Sequence, residues 1–425
     1  MVEAQPIRLF VLLLVGALST GFAFRSVAQE SMQPGAAQDG AILALLQKAE
    51  AGDPQAQNDL AEAYSNARGV AADYTAAVTW WKRSAEQGNA SAQIELGRSY
   101  KYGRGVDRDY SRALLWFRRA AEQGLAPAES SLGSMYQRGL GVPQDYAQSA
   151  DWYRKAVEHG SAAAENNLAM LYAHGWGVPR DTKLAFKLLS EAAKKGDESA
   201  QHNLGAAYLL GQGVKPDYGQ ALLWFRMSAS QGLAAACYAL GYVYENGKGV
   251  EKNYEEAARM YRKAAEAGFS RAQASLGYLY FNGQGVPQDF TEAANWFSRA
   301  AEQGDVVGQS GLGSLYFYGR GVPRDYRKAA EWFRKAAEQG FAVAEGNLGY
   351  LFEQGRGVPL DYSEAFKWYQ LAATHGYSPA NSAMKSLATI MTQEQLHKAR
   401  ASILAQGGST TQVSSTLMDP LESHN

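Results

Sequence analysis

The residues of this chain that could do chemistry are few, and their spacing does not bring them together. The six histidines are His159, His174, His202, His375, His397 and His424, and no two fall at a metal-binding spacing such as His-x-x-x-His. His159 and His375 share one position of a repeating pattern, six units apart, so they cannot converge. The single cysteine, Cys237, excludes an internal disulfide and a Cys-rich zinc site. It stands where most copies of its position carry Gln or Glu, and it reads as a tolerated thiol rather than a nucleophile. Gly-x-Gly turns resemble phosphate loops only superficially. They lack the third glycine, follow a helix rather than a strand, and recur along the chain. Asp73, Asp109, Asp145 and their equivalents are placed to cap helices, not to act as paired acids. No catalytic residue, metal ligand or cofactor-binding residue is assigned, and the chain reads as a non-enzyme without a cofactor.

The elements that position these residues follow from one period. A Gly-Val pair returns every 36 residues, from Gly69-Val70 through Gly213-Val214 to Gly357-Val358, nine times without an insertion. A fixed period of this size is the signature of a solenoid, in which each unit buries its apolar face only against its neighbours. This overrides the two or three globular domains that 425 residues would otherwise suggest. Lys and Arg number 41 against 42 Asp and Glu, a balance that argues against a nucleic-acid binder with a basic stripe.

Residues 89–124 show how one unit folds. Asn89 caps a first helix that places Ala92, Leu96 and Tyr100 on one face. Gly97 lets a neighbouring helix approach. Gly103-Arg104-Gly105 ends the helix, because glycine enters the left-handed region without penalty. Val106 plugs the turn, Asp109 caps a second helix, and Tyr110, Ala113, Trp116, Phe117, Ala120 and Ala121 form its apolar stripe up to Gly124. The large core position reads Trp80, Trp116, Trp152, Trp224, Trp296, Trp332 and Trp368, with Leu188 and Met260 as exceptions.

Ala-x-x-x-Leu-Gly-x-x-Tyr, Gly-x-Gly-Val, Asp-Tyr, Ala-x-x-Trp and Lys-Ala-Ala-Glu-x-Gly together resemble the Sel-1-like repeat of the tetratricopeptide superfamily. Lys335-Ala336-Ala337-Glu338-Gln339-Gly340 is a close match. The resemblance covers residues 53–376. It implies an all-α fold, a right-handed α-solenoid of stacked helix-turn-helix repeats, acting as a protein-interaction scaffold. It also implies that bacterial members are often exported, in envelope assembly or in contact with host proteins. Cysteine-rich relatives have been linked to β-lactam binding, but this chain lacks their paired cysteines, so that reading is disfavoured.

The ends differ from the middle. Arg8, an apolar run from Leu9 to Phe24, and Ser26-Val27-Ala28 read as a cleaved export signal over residues 1–28. The run is shorter than the ~20 residues of a membrane span. The expectation is a periplasmic or secreted protein without a stable membrane span. Residues 29–39 read as a disordered linker, 40–52 as an N-terminal capping helix, 377–406 as C-terminal capping helices and 407–425 as a disordered tail. Thr392 with Gln395 forms a capping box that opens the last helix.

A scaffold shows its partner preference at variable positions. Directly after the Leu-Gly pair, one position varies from Glu62 and Arg98 to Tyr242, Tyr278 and Tyr350, and it is expected to line the concave face. Tyr238 lies one turn before Tyr242. Exposed tyrosines in a groove suit a protein or peptide partner, or alternatively a glycan whose sugar rings stack on them. A second candidate lies in two adjacent turns, where Leu140 and Trp176 replace the usual polar residue and suggest an apolar edge patch.

Overall fold

A computed structural model describes residues 36–405. The expected export signal and the tail from 407 lie outside the described residues. Contacts divide the chain into two compact units, one ending at Leu233 and one starting at Ala234. Among the described residues there are 21 helices and no strand, so each unit is an all-α solenoid. The first unit holds α1 (Ala36–Glu50), α2 (Pro54–Ser65), α3 (Tyr74–Glu86), α4 (Ala90–Tyr102), α5 (Tyr110–Ala121), α6 (Ala126–Arg138), α7 (Tyr146–Glu158), α8 (Ala162–His174), α9 (Thr182–Lys194), α10 (Glu198–Leu210) and α11 (Tyr218–Ser230). The second holds α12 (Ala234–Asn246), α13 (Tyr254–Glu266), α14 (Ser270–Asn282), α15 (Phe290–Glu302), α16 (Val306–Tyr318), α17 (Tyr326–Ala337), α18 (Ala342–Gln354), α19 (Tyr362–Thr374), α20 (Pro379–Ala388) and α21 (Gln393–Ala405).

The helix boundaries have local causes. The Asn89 side chain accepts a hydrogen bond from the Ala92 amide at 3.0 Å, and Asp109 accepts from the Arg112 amide at 2.9 Å. These bonds satisfy amides that a helix start leaves unpaired. Gly103 ends α4 with φ 69°, and Gly105 repeats the same sign. A Cβ on Gly105 would lie 2.1 Å from the Tyr74 carbonyl oxygen, and Gly213, Gly285, Gly321 and Gly357 stand in the same relation to Thr182, Tyr254, Phe290 and Tyr326, so these turns are pinned against the second helix of the preceding repeat. In the first copy Ala67 stands in the equivalent of Gly103 and still adopts φ 53°, a conformation rare for a residue with a Cβ.

The core depends on a glycine–ring pair. A Cβ on Gly97 of α4 would lie 2.7 Å from the Phe117 ring of α5, and Gly205 stands in the same relation to Phe225 and Gly277 to Phe297. Where the glycine becomes Ala169, the ring becomes Leu189, so volume is conserved across the pair. The deepest large residue of each unit is therefore the one after the tryptophan. Phe117 is fully buried, whereas Trp80, Trp152, Trp224 and Trp332 are only half-buried. Trp116, Trp296 and Trp368 are buried, so the expectation that the Trp series belongs to the core holds for three of its seven members and is corrected for the other four. The outer edges of five indoles are covered by cations, with Arg83, Arg119, Lys155, Arg299 and Lys335 over the faces of Trp80, Trp116, Trp152, Trp296 and Trp332 at 4.1–4.7 Å.

The ends extend the pattern. α1 begins at Ala36, inside the segment expected to be an unstructured linker. At the other end the Thr392 hydroxyl accepts from the Gln395 amide and the Gln395 side chain accepts from the Thr392 amide, at 3.2 and 2.9 Å. Met384 and Ala380 of α20 are buried against α19.

Candidate functional site

The variable position after Leu-Gly is not uniformly exposed. Met170 and Ala206 are buried, Arg98 and Tyr350 are exposed, and Tyr242 and Tyr278 are half-buried. The next residue faces inward in each unit tested by an apolar side chain. Met135, Leu171, Val243, Leu279, Leu315 and Leu351 are all 1% exposed or less. The position thus lies on the shoulder of the first helix, where a small residue sinks and a tyrosine keeps an edge in water.

Tyr238 does not join the surface row. It is 5% exposed, and its ring packs 5.5 Å from Tyr261 and 5.2 Å from Phe269. Burial pushes its hydroxyl up to about 12. The one-turn spacing from Tyr242 placed it on the expected face, but one turn earlier the helix is covered by the adjoining helix of the stack. Tyr278 leans on the core cluster that contains Phe297, Leu312 and Leu315. Tyr350 is 37% exposed.

Around Tyr350 the structure gathers residues that the sequence pattern did not single out. Phe317 of α16 lies 6.0 Å from Tyr350, 5.4 Å from Tyr326 and 4.9 Å from Tyr318, each at a steep angle. Arg356 stands over Tyr326 and Tyr350 at 5.5 and 5.9 Å. Arg320, one repeat earlier, stands over Phe290 and Tyr318 at 5.2 and 5.3 Å. Phe290 in turn contacts Phe281 at 5.4 Å. Tyr318 is 47% exposed. The result is one continuous band of rings and two guanidiniums along the turns of the last repeats. Its sequence signal was present: Arg320 and Arg356 occupy the middle of their Gly-x-Gly turns, but their partners lie 30 or more residues away or in the same turn's preceding helix.

Leu140 and Trp176 do not offer free apolar faces. Leu140 is half-buried and packs against the cluster of Phe117, Leu132 and Met135. Trp176 is 39% exposed, but its indole stacks on His174 at 4.3 Å and on Tyr146 at 5.5 Å. The side chain folds back on its own turn and on the start of α7. Burial, with the nearby Arg180 charge, lowers the His174 pKa.

The remaining chemical groups are structural. In five repeats a glutamine of the second helix donates to a buried glutamine of the first, as Gln123 does to Gln93 at 2.9 Å. Two repeats replace this pair by His159 with Glu129 and His375 with Glu345, and one by Lys195 with Glu165. Cys237 takes the inner place in another, is 6% exposed, and has its thiol pKa raised by burial. His202 is buried, with both ring nitrogens lacking a hydrogen-bond partner and its pKa lowered to about 4 by desolvation, so it is neutral. Among the described residues no three His, Cys, Asp or Glu side chains are grouped to hold a metal ion. A cavity of about 720 Å3 between the starts of α19 and α21 is crossed by the Lys398–Asp361 ion pair at 3.3 Å. Among the described residues no helix is long and apolar enough to cross a membrane.

Stacked 36-residue helix pairs with a glycine-pinned turn define a helical-repeat protein of the scaffold type. Nine consecutive segments match the Sel1 repeat, at residues 54–89, 90–125, 126–161, 162–197, 198–233, 234–269, 270–305, 306–341 and 342–377. The chain belongs to the Sel1 repeat family, whose fold generally serves as a protein-interaction scaffold. A Sel1 repeat protein from Oxalobacter formigenes is 33% identical, over 78% of this chain and 98% of that one, with a TM-score of 0.54. A protective antigen present in uropathogenic Escherichia coli strains, displaying an SLR fold, is 30% identical over 90% and 99%, with a TM-score of 0.45. A putative Sel1 repeat protein from Klebsiella pneumoniae is 25% identical over 48% and 99%, with a TM-score of 0.34. No curated protein matches the chain.

Proposed function

We propose that this protein is an exported, non-enzymatic adaptor that binds a protein or peptide segment on the shoulders of its first helices in the second unit. The observation that carries the reading is the partial exposure of Tyr278 and Tyr350 at one repeat position, with Tyr350 continuing into the ring band around Phe317. Rigid aromatic rings with an apolar body and a polar tip are the side chains that dominate protein interfaces. An extended segment laid along the stack meets the same position once per repeat, which makes recognition additive over units. Export is supported by Arg8, the apolar run to Phe24 and the small residues at Ser26 and Ala28. Function in a bacterial periplasm or outside the cell fits the absence of paired cysteines in the sequence.

A photo-crosslinking residue at position 350, compared with one at the exposed Leu115 of α5, tests the binding reading. Partner capture from 350 and not from 115 is the expected result. Equal capture from both would remove the tyrosine row. Mass measurement of the protein recovered from the expressing cell tests export: a chain starting at Gln29 is expected, and a cytoplasmic chain retaining Met1 would end that part of the proposal.

A further inference from the structure

The ring band carries a charge that nothing within the described residues neutralises. Arg320 and Arg356 rest on aromatic faces, and neither has a carboxylate within ion-pair distance among the described residues. The acidic side chains closest in sequence are engaged elsewhere. Asp289 and Asp325 accept the first amides of α15 and α17. Glu353 accepts the Tyr369 hydroxyl at 2.6 Å. Asp361 caps α19 and pairs with Lys398. Arg324 lies over Tyr326 at 5.7 Å and Lys328 over Tyr316 at 5.2 Å, adding to the same sign.

A guanidinium stacked on a ring keeps its edge donors free and its plane fixed. That arrangement loses little side-chain entropy when it binds a carboxylate through two parallel hydrogen bonds. Two such groups, one repeat apart and joined by partly exposed rings, form a surface whose unmet requirement is negative charge on an otherwise apolar or aromatic-compatible chain. We infer that this band binds an extended acidic peptide segment, with carboxylates on Arg320 and Arg356 and intervening side chains against Tyr318, Phe317 and Tyr350. This inference rests on the peptide-binding reading above and specifies the partner's chemistry.

Fluorescence anisotropy on the full chain tests it with three labelled pools of 12-residue peptides. One carries Asp or Glu at alternate positions, one Lys at those positions, and one Ser. The acidic pool should bind at least tenfold more tightly than the other two and weaken as salt is raised. Arg320→Glu with Arg356→Glu should abolish that preference; Arg320 is exposed and Arg356 half-buried, so the melting curve is recorded alongside. Should the reversal perturb folding, Arg320→Gln with Arg356→Gln removes the charge while keeping the stem, and the same loss is expected. Equal binding of all three pools, or acidic binding untouched by both arginine variants, overturns the inference. If the Ser pool then still binds and Tyr350→Ala weakens it, the peptide reading stands without the acidic preference; if no pool binds, both fall. Binding of polygalacturonate with no peptide binding would assign the band to an anionic glycan and overturn it as well.

Discussion

Oε2 of Glu129 lies 2.8 Å from Nδ1 of His159, at the place where five other repeats set one glutamine side chain against another. The inner glutamine also donates to a carbonyl at the end of the preceding helix, as Gln93 does to Ala85 at 3.2 Å. A carboxylate cannot donate, so a buried Glu needs a cation or a proton instead. Each repeat with an inner Glu supplies one: His159, Lys195 or His375. Where Cys237 stands inside, Ala267 stands outside and no hydrogen bond is required. The pair covaries as a unit because an unmet buried polar group is more costly than either solution.

This gives a pH prediction for Glu345. Burial raises its carboxyl above the ordinary 4.5, while the hydrogen bond and charge of His375 pull it back. The folded chain therefore holds this proton to higher pH than the unfolded chain does. The stability it contributes is present below about 4.5 and is lost as pH rises through the window just above that value. Glu345→Gln should remove this component, giving a flatter melting temperature between pH 4.5 and 7 than the parent. His375→Ala should instead lower stability by about 1–2 kcal/mol at neutral pH, a figure reduced because the imidazole is half in water. A steeper pH profile in Glu345→Gln would contradict the assignment.

The glycine–ring pair predicts a compensated double variant. Gly97→Ala brings a methyl into the Phe117 ring at 2.7 Å and should cost about 1–3 kcal/mol by overpacking. Adding Phe117→Leu should recover part of that loss, since Ala169 with Leu189 is the same solution in this chain. Denaturant unfolding of the two single variants and the double measures the coupling. Strict additivity would mean that the two residues do not compete for one volume.

Tyr238 and Tyr350 should separate stability from binding. Tyr238→Ala empties a site between Tyr261 and Phe269 and should cost about 3–5 kcal/mol. Tyr350→Ala should change stability by no more than ~1 kcal/mol, since its ring is one edge of a surface band, yet weaken partner binding by at least ~2 kcal/mol. A large fall in melting temperature for Tyr350→Ala would make it a core residue instead.

The two tyrosines also mark where sequence reasoning stopped. Period, turn glycines and caps were legible because each has a local cause, such as the Asp109 bond to the Arg112 amide. Depth within a helical stripe was not. Trp116 and Phe117 are neighbours on one stripe, and which goes deeper is set by Gly97, twenty residues earlier. Tyr238 and Tyr242 lie one turn apart, and only the adjoining helix decides that the first is covered. The ring band was illegible for the same reason: Arg320 meets Phe290 across the repeat boundary.

Cys237 offers a last test of the packing at the altered pair. Its side chain lies in the buried inner position on α12, and burial raises its pKa, so little thiolate is present near neutral pH. A thiol reagent should therefore label the folded protein only as fast as the chain opens locally, and denaturant should accelerate labelling by several orders of magnitude. Cys237→Gln with Ala267→Gln should rebuild the glutamine pair seen in five repeats and leave the melting temperature unchanged or raised. The single change Cys237→Glu places a carboxylate opposite Ala267, without the nitrogen partner that the three inner Glu residues have. It should destabilise the chain by about 3 kcal/mol, and adding Ala267→Lys should restore most of that. Full labelling of Cys237 within seconds under native conditions, or a Glu variant as stable as the parent, would show that this inner position is open to water.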